Sequence, residues 1–295
     1  MAVAAVIGAA GRMGSWFADF LNSNGYSVIV CDREKATARK LARRNGYKFM
    51  GDVTNAAELS QIVVLATPTL TTKSLLRRIE PHISKTTLLV EISSVKAPLK
   101  ETLERLRRRG VAVLSIHPMF GHGTKHPAGR LIIVAQQPAK NREAAKFISL
   151  FKRRGAKIFQ TDLANHDRVV AVTLALPHFV NFAMVNTMKA SGMAPGQARD
   201  VGGTTFKLQL VVAEALYHER LSNEVSILAD NRYALEVLDS FAEQVNRIRA
   251  EIKSGDSRKL LRDLKRGAGY VREDALFSSA YDRFNAAVEA SNVNN

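Results

Sequence analysis

Short apolar runs alternate with amphipathic stretches along the first half of the chain. The runs are continuously apolar and rich in β-branched residues, which is typical of strands in a parallel sheet covered on both faces. The stretches between them space apolar residues three and four positions apart, as helices such as Met13–Leu21 would. The pattern predicts seven strands: Val3–Ile7, Ser27–Cys31, Ile62–Ala66, Thr87–Ile92, Val111–Ile116, Leu131–Ala135 and Lys157–Gln160.

From about Asn165 onward, long helical patterns replace the strands. The stretch Ala171–Met188 is apolar almost all round, which indicates burial on several sides. We therefore expect two domains, a sheet domain over 1–163 and an all-helical domain over 164–295 that forms a homodimer. The predicted helices are His166–Met188, Gln209–Tyr217, Asn223–Ser254 and Arg258–Arg266.

A glycine-rich turn, Gly8–Gly14, follows the first predicted strand and opens a helix. Glycines at such a turn let the backbone approach a pyrophosphate, and the helix N-terminus favours the anion. Ala9 stands where the strict G-x-G-x-x-G form has glycine, so the match is to the looser G-x-x-G-x-x-G form. We therefore predict a Rossmann-type, doubly wound and mostly parallel sheet with a dinucleotide site. Its candidate residues in the turn are Gly8, Gly11, Arg12, Met13 and Gly14.

The residue after the second strand indicates which dinucleotide binds. Asp32 stands where an acidic residue meets the ribose hydroxyls, and its carboxylate would repel the 2′-phosphate of NADP. Arg33 and Lys35 follow directly and would offset that repulsion, so NADP stays possible beside the preferred NAD. Thr67 and Pro68, after the strand Ile62–Ala66, are expected to lie along the cofactor.

Two strand ends carry the candidate chemistry. Ser94 and Lys96 follow the strand Thr87–Ile92, and His117 follows Val111–Ile116. Because the carboxyl ends of parallel strands meet at one edge of a sheet, these side chains are expected to lie close together. Imidazole is neutral near neutral pH and accepts protons there, so His117 is a candidate general base.

Composition limits the remaining function classes. The chain has 295 residues and a net charge of +16, and its basic residues fall mostly near predicted helix ends. No aromatic-interleaved basic segment supports nucleic-acid binding, which is therefore not expected. The single cysteine, Cys31, excludes an internal disulfide and a cysteine-based metal cluster. We expect no metal site, no membrane span, no signal peptide and a cytoplasmic protein.

The order and spacing of five segments resemble the prephenate dehydrogenase family, closest to its archaeal-type, single-function members. The segments are Gly8–Gly14, Glu91–Lys96, His117–Gly121, His166-Asp167 with Leu176-Pro177-His178, and Gly202–Phe206. The resemblance implies an NAD(P)-dependent oxidoreductase that converts prephenate or arogenate, with loss of CO₂, in tyrosine biosynthesis. It also implies that His117 accepts the substrate hydroxyl proton and that Ser94 hydrogen-bonds the same centre. Lys96 would add positive potential near the substrate or cofactor.

The helical half carries further implied site residues. His178 matches a family histidine that faces the active-site cleft, and Pro177 is expected to kink its helix. Many bacterial members clamp a substrate carboxylate with an arginine that here is replaced by Lys207, a point charge without the bidentate fork. Thr205 and Lys207 are the candidate substrate-binding residues of this segment, and the choice between prephenate and arogenate stays open.

Other classes fit the sequence less well. β-Hydroxyacid dehydrogenases carry a catalytic lysine in a Gly-x-x-x-Lys-x-x-x-Asn helix, which the stretch after His166 lacks. UDP-sugar dehydrogenases need a nucleophilic cysteine beyond the first domain, where Cys31 does not lie. Deazaflavin-dependent NADP reductases share the glycine turn and do not require the His117 loop. A basic nucleotide- or nucleic-acid-binding protein without catalysis rests on charge alone.

Overall fold

The computed structural model describes residues 1–121, 123–138 and 141–292. One eight-stranded sheet dominates the first half, with strand order β3-β2-β1-β4-β5-β6-β7-β8. Strands β1 to β6 are parallel, β7 is antiparallel to β6, and β8 is parallel to β7. The strands are β1 Val3–Ile7, β2 Ser27–Cys31, β3 Lys48–Phe49, β4 Ile62–Leu65, β5 Leu88–Glu91, β6 Ala112–Pro118, β7 Leu131–Gln136 and β8 Lys157–Gln160.

All seven predicted strands are present, so the doubly wound, mostly parallel sheet is confirmed. The additional strand β3 has two residues that pair with Ile29 and Val30, and so short a strand has no detectable periodicity. Helices cover both faces. The helices of this half are α1 Arg12–Asn22, α2 Lys35–Asn45, α3 Val53–Glu58, α4 Thr69–Ile79, α5 Lys100–Arg108 and α6 Arg142–Arg153.

Alternate residues of the strands belong to two apolar cores, one on each face of the sheet. In β1, Ala4 and Val6 pack with Phe17 and Phe151, whereas Ala5 and Ile7 join the core on the other face. Each strand must therefore be apolar at nearly every position, which is the continuous pattern visible in the sequence. The sheet is therefore packed against an apolar core on each face, which holds the strand ends at its carboxyl edge in place.

The second half is helical, as predicted. A π turn over Ala171–Ala175 separates the first two helices, just before Pro177, whose ring supplies no backbone N–H. The predicted helix Asn223–Ser254 is interrupted at 230–233. The helices are α7 Leu163–Val170, α8 Leu176–Ala190, α9 Pro195–Val201, α10 Thr204–His218, α11 Leu221–Ala229, α12 Ala234–Ser254, α13 Ser257–Val271 and α14 Ala280–Asn292.

Two compact units divide the chain. The sheet unit comprises 1–170 and 225–232, and the helical unit comprises 171–224 and 233–295. Helix α7 joins the sheet unit because it buries Leu163, His166, Asp167 and Val170 there. The division therefore falls seven residues later than 163, since the first turns of the long helix complete the sheet unit.

One helical run meets the length and composition of a membrane span. Leu163–Ala190 has a mean hydropathy of 1.6 in its most apolar window, which the sequence analysis did not anticipate. Core helices of water-soluble proteins meet the same criterion, so it is weak evidence for a membrane. His166 and Asp167 in this run are buried and hydrogen-bonded to other protein groups.

Candidate active site

The carboxyl edge of the parallel sheet collects the candidate residues of the first half. Gly8 follows β1, Asp32 follows β2 and Thr67 lies just beyond β4. Ser94 lies just beyond β5, and His117 is the next-to-last residue of β6. The strand order reverses between β1 and β4, and ligands of doubly wound sheets bind at such a reversal. These candidate residues therefore lie at one edge of the sheet.

The glycine turn forms a narrow cradle between β1 and α1. Gly8 has a φ of +92°, and a Cβ there would lie 2.4 Å from the carbonyl oxygen of Ala66. A Cβ on Gly14 would lie 2.0 Å from the carbonyl oxygen of Gly8. Gly11 is the N-cap of α1, and no side-chain hydrogen bond caps that end of the helix. Both close approaches require glycine, and the turn fits a pyrophosphate beside a helix N-terminus.

Asp32 is held at the end of β2 by backbone donors. Its Oδ2 accepts from the N–H of Ala10 at 2.9 Å, and its Oδ1 accepts from the N–H of Glu34 at 2.9 Å. Each oxygen keeps further lone pairs for hydroxyl donors. The Arg33 side chain is 82% exposed and lies 3.8 Å from Glu34 rather than on Asp32, so it does not neutralise this carboxylate.

His117 lies at the end of β6, directly after an irregularity in the pairing with β7 between Ser115 and Ile116. Such bulges commonly re-aim side chains next to functional sites. The residue is 5% exposed. Its Nδ1 lies 3.0 Å from Nε2 of His166, and Nδ1 of His166 lies 2.8 Å from Oδ1 of Asp167. We call this chain of three side chains the relay.

Asp167 also fastens the loop after β5. Its Oδ1 accepts from the backbone N–H of Lys96 at 2.9 Å, and its Oδ2 accepts from that of Ala97 at 2.7 Å. The side-chain amide of Asn231 donates to the carbonyl oxygen of Asp167 at 2.8 Å. Asn231 lies in the interruption between α11 and α12, so that break brings a polar anchor to the site.

A second buried network lies beneath the site. The Nζ of Lys96 donates to Oε1 of Glu91 at 2.8 Å and to the carbonyl oxygen of Ile116 at 2.7 Å. The hydroxyl of Ser115 also donates to Glu91, and the backbone N–H of Ser93 donates to its other oxygen. Glu91 and Lys96 side chains are both fully buried. These contacts occupy the ammonium of Lys96 within the protein and tie the ends of β5 and β6 together.

Burial sets the protonation of these groups. Desolvation lowers the pKa of His117 well below its usual value, and electrostatic interactions with His166 and Lys96 lower it further. Desolvation also lowers the pKa of His166, although the hydrogen bond to Asp167 opposes the shift. The pKa of Lys96 is lowered by burial as well, against the attraction of Glu91. Both imidazoles are therefore neutral near neutral pH, as a proton acceptor must be.

The two serines after β5 differ in burial. Ser93 is 5% exposed, and its hydroxyl has no hydrogen-bond partner within the described residues. Ser94, the predicted site residue, is half-buried. Both hydroxyls lie on the loop that Asp167 fastens.

The candidate residues of the second half, His178, Thr205 and Lys207, lie in the helical unit. There Nδ1 of His178 lies 2.5 Å from Oε2 of Glu224, in a contact without hydrogen-bond geometry. Both residues are buried, and the sequence analysis did not identify Glu224. Thr205 is exposed and Lys207 is half-buried, both in the first turn of α10.

Several contributors were missed or given no role by sequence reasoning. His166 and Asp167 marked a motif, yet their contact with His117 depends on how α7 packs against the sheet. The sequence position of Glu91 could have indicated its role, since an acidic residue that ends a continuously apolar strand is buried and needs a partner. The sequence around Ser115 and Asn231 gives no such indication, because a serine in a strand or an asparagine between helices is common.

Comparison with known proteins identifies both halves of the chain. Residues 17–160 match the family model for the nucleotide-binding domain of prephenate dehydrogenase. Residues 162–266 match the model for its dimerization domain. The first match begins after the glycine turn, so the evidence for that turn is the geometry of Gly8 and Gly14.

Relatives and solved structures agree with these matches. A probable arogenate/prephenate dehydrogenase of Methanocaldococcus jannaschii is 25% identical over 94% of this chain, which spans 62% of that relative's length. Prephenate dehydrogenase of Aquifex aeolicus, solved with hydroxyphenyl propionate and NAD⁺, has a TM-score of 0.74 at 18% identity, over 92% of this chain and 98% of that one. Arogenate dehydrogenase of Synechocystis has a TM-score of 0.70 at 21% identity, over 92% and 99%. At these identities the structures establish the shared fold, and the two domain matches establish that the chain belongs to the prephenate dehydrogenase family.

Proposed function

We propose that the chain is an NAD-dependent dehydrogenase that oxidises and decarboxylates prephenate to 4-hydroxyphenylpyruvate in tyrosine biosynthesis. One observation carries the proposal: a buried, neutral His117 lies on the same sheet edge as a glycine cradle shaped for a dinucleotide. A proton acceptor and a dinucleotide site are the two parts that oxidation of a carbinol requires.

The proposed reaction begins at the ring carbinol of the substrate. His117 accepts the hydroxyl proton at Nε2 while the hydride leaves the carbinol carbon, which gives a dienone. The ring carboxylate then leaves as CO₂, and the electron pair of the broken C–C bond makes the ring aromatic. His117 returns the proton to the resulting phenolate oxygen, so no net proton is released. Aromatisation makes the sequence irreversible.

The cofactor assignment rests on the fit of the residues present. Bound NAD⁺ supplies the hydride acceptor. The turn with Gly8, Gly11, Arg12, Met13 and Gly14 would hold its pyrophosphate, and Asp32 would accept from its ribose hydroxyls. The carboxylate of Asp32 favours NAD over NADP by repulsion of a 2′-phosphate, and Arg33 lies on Glu34 instead. Thr67 and Pro68 would line the cofactor, since the methyl group of Thr67 lies beside Gly8.

The substrate contacts are proposals of the same kind. Ser94 would hydrogen-bond the reacting hydroxyl, and His178 and Thr205 would contribute polar contacts. Lys207 would attract a substrate carboxylate as a point charge, in place of a bidentate arginine. Lys96 has a different role from the one expected, because Glu91 and the Ile116 carbonyl occupy its ammonium. We assign it to positioning the strand ends.

Arogenate is the second candidate substrate. It carries an ammonium where prephenate carries a keto oxygen, and a buried carboxylate is the natural partner of an ammonium. Glu224, beside His178, is such a carboxylate. The similarity to both prephenate and arogenate dehydrogenases supports each candidate.

A homodimer in the cytoplasm is proposed for the assembled protein. The match of 162–266 to a dimerization domain supports it. Helix α13 has an apolar face yet buries no residue, and Leu261 and Leu264 on it are 52% and 58% exposed. A second copy that covers this face would remove those side chains from water.

The test is a turnover assay that follows the absorbance of the reduced nicotinamide. Prephenate and arogenate are each offered with NAD⁺ and with NADP⁺. We expect turnover with prephenate and NAD⁺ to have the highest kcat/KM of the four combinations. Higher kcat/KM with arogenate moves the assignment to the second candidate, and no turnover with any combination overturns the proposed function.

A further inference from the structure

The donors and acceptors along the relay can be assigned one after another, starting from Asp167. Its carboxylate is buried and accepts backbone N–H groups of Lys96 and Ala97, one on each oxygen. Because each oxygen already accepts from a backbone N–H, the carboxylate acts as a hydrogen-bond acceptor here. Nδ1 of His166, 2.8 Å from Oδ1, must therefore carry a hydrogen and donate it.

The hydrogen on Nδ1 decides what the other nitrogen of His166 does. His166 is fully buried, and desolvation keeps its ring neutral near neutral pH. A neutral imidazole has one N–H, so Nε2 carries a lone pair and accepts. The partner of that lone pair is Nδ1 of His117 at 3.0 Å. Nδ1 of His117 must therefore be the donor.

We propose that Asp167 and His166 are positioning residues that hold His117 in the tautomer with hydrogen on Nδ1 and a lone pair on Nε2. In this tautomer Nε2 is able to accept a proton. Without the relay, a neutral histidine distributes its hydrogen between both nitrogens, and its ring is free to turn. The inference deepens the proposed function, on which its kinetic part rests.

The hydrogen bonds of the relay persist in the protonated form that the proposed reaction creates. Once Nε2 takes a proton, Nδ1–H still donates to His166, whose other nitrogen still donates to the carboxylate of Asp167. Burial and Lys96 lower the pKa of both rings, whereas that carboxylate and Glu91 raise the pKa of His166. The relay therefore holds the ring of His117 in place within surroundings that disfavour its cation.

The tautomer is measured directly by long-range ¹H–¹⁵N spectra of the full chain labelled with ¹⁵N-histidine, near neutral pH and without substrate. The chain has seven histidines, and the His117 signals are assigned by their loss in His117→Gln. We expect a protonated Nδ1 and an unprotonated Nε2 in the unsubstituted protein. A hydrogen on Nε2 overturns the proposal.

Two substitutions of His166 distinguish its hydrogen-bonding role in the relay from a role in packing alone. His166→Gln retains one acceptor and one donor and should retain the tautomer and most of kcat. His166→Phe removes both, and we expect mixed tautomers and a fall in kcat of about 10- to 100-fold, as for lost outer partners of functional imidazoles. His82→Gln is the matched control, since His82 contacts Glu58 at the surface in a similar pair and should change nothing.

The outcomes are distinguishable from failure of the proposed function. Unchanged tautomer and kcat in folded His166→Phe overturn the relay while leaving the dehydrogenase assignment intact. Absence of turnover in the unsubstituted protein overturns the function, yet the spectra still report the tautomer. If His166→Phe does not fold, the spectra of the unsubstituted protein and of His166→Gln decide, and a hydrogen on Nε2 in either contradicts the proposal.

Discussion

The sheet unit and the helical unit treat polar and apolar groups in opposite ways. The sheet unit buries Glu91, Lys96, His166 and Asp167 and supplies each with hydrogen-bond partners. The helical unit leaves large apolar side chains exposed, among them Ile252 at 62%. It also buries the carboxylate of Glu251, for which no partner is found within the described residues.

The buried groups around His117 thus differ from the apolar surface of the helical unit. The network of Glu91, Lys96, His166 and Asp167 is hydrogen-bonded within the sheet unit, which fixes these side chains in place. The exposed apolar faces of the helical unit are typical of a surface that another protein covers. We therefore expect substitutions in the buried network of the sheet unit to affect stability, and those on the exposed apolar faces of the helical unit to affect assembly.

The largest effect on stability is expected at Lys96. Lys96→Met leaves Glu91 buried without its counter-ion, and loss of one partner of a buried pair costs about 3–5 kcal/mol. Urea unfolding followed by circular dichroism measures it. Arg78→Met, which breaks the exposed pair with Asp52, is the control and should change little. If Lys96→Met lowers the free energy of unfolding by no more than Arg78→Met does, the account of a tightly coupled network is contradicted.

A smaller effect is expected on assembly from helix α13. Leu264→Asp places a charge on its exposed apolar face, where a covered leucine would contribute about 1.5–3 kcal/mol. Sedimentation equilibrium should show a dimer becoming a monomer. Leu59→Asp is the control, because Leu59 is similarly exposed, at 55%, on the sheet unit. An unchanged mass for the Leu264 variant means that this face is not the interface.

Acid should weaken the sheet unit through its buried histidines. The folded-state pKa values of His117 and His166 lie below the unfolded value, so the unfolded chain binds more protons as pH falls. The free energy of unfolding should be flat above about pH 6.5 and decrease from there to about pH 5, before carboxylates titrate. His166→Gln should reduce the slope. An equal slope in both proteins would show that His166 does not titrate on unfolding.

The smallest effect is expected at Trp16, the only tryptophan of the chain. Its indole N–H donates to the carbonyl oxygen of Thr124 at 2.7 Å, and its ring lies edge-on to Phe120. Trp16→Phe keeps an aromatic ring and loses the hydrogen bond, which should cost about 0.5–1.5 kcal/mol. Thermal unfolding measures the loss, and a cost as large as that of Lys96→Met would show that the ring, not the hydrogen bond, matters most.

Local patterns in the sequence were sufficient for the sheet and the cradle. Apolar runs in the sequence predicted every strand longer than two residues. The glycines after β1 predicted a turn in which backbone segments come very close to one another, and Gly8 and Gly14 make such close approaches. His117 was a candidate because an imidazole stands at the end of a predicted strand. These features depend on residues that are neighbours in the chain.

The remaining parts of the site depend on contacts between distant residues. His117 meets His166 across 49 positions, and Lys96 meets Asp167 across 71. Lys96 was expected to add positive potential near the substrate or cofactor, and only the packing of β5 against β6 shows that its ammonium is bound to Glu91. The break at Asn231 was equally invisible, since its flanking segments have continuous helical periodicity.

His117→Gln tests the central claim most directly. Single-turnover hydride transfer with saturating prephenate and NAD⁺ is compared with that of the unsubstituted protein, and NAD⁺ affinity is measured by calorimetry. We predict a rate lower by about 10²–10⁴, the range for loss of a general base, with NAD⁺ affinity unchanged. A rate within a factor of about two of the unsubstituted protein would contradict His117 as the proton acceptor.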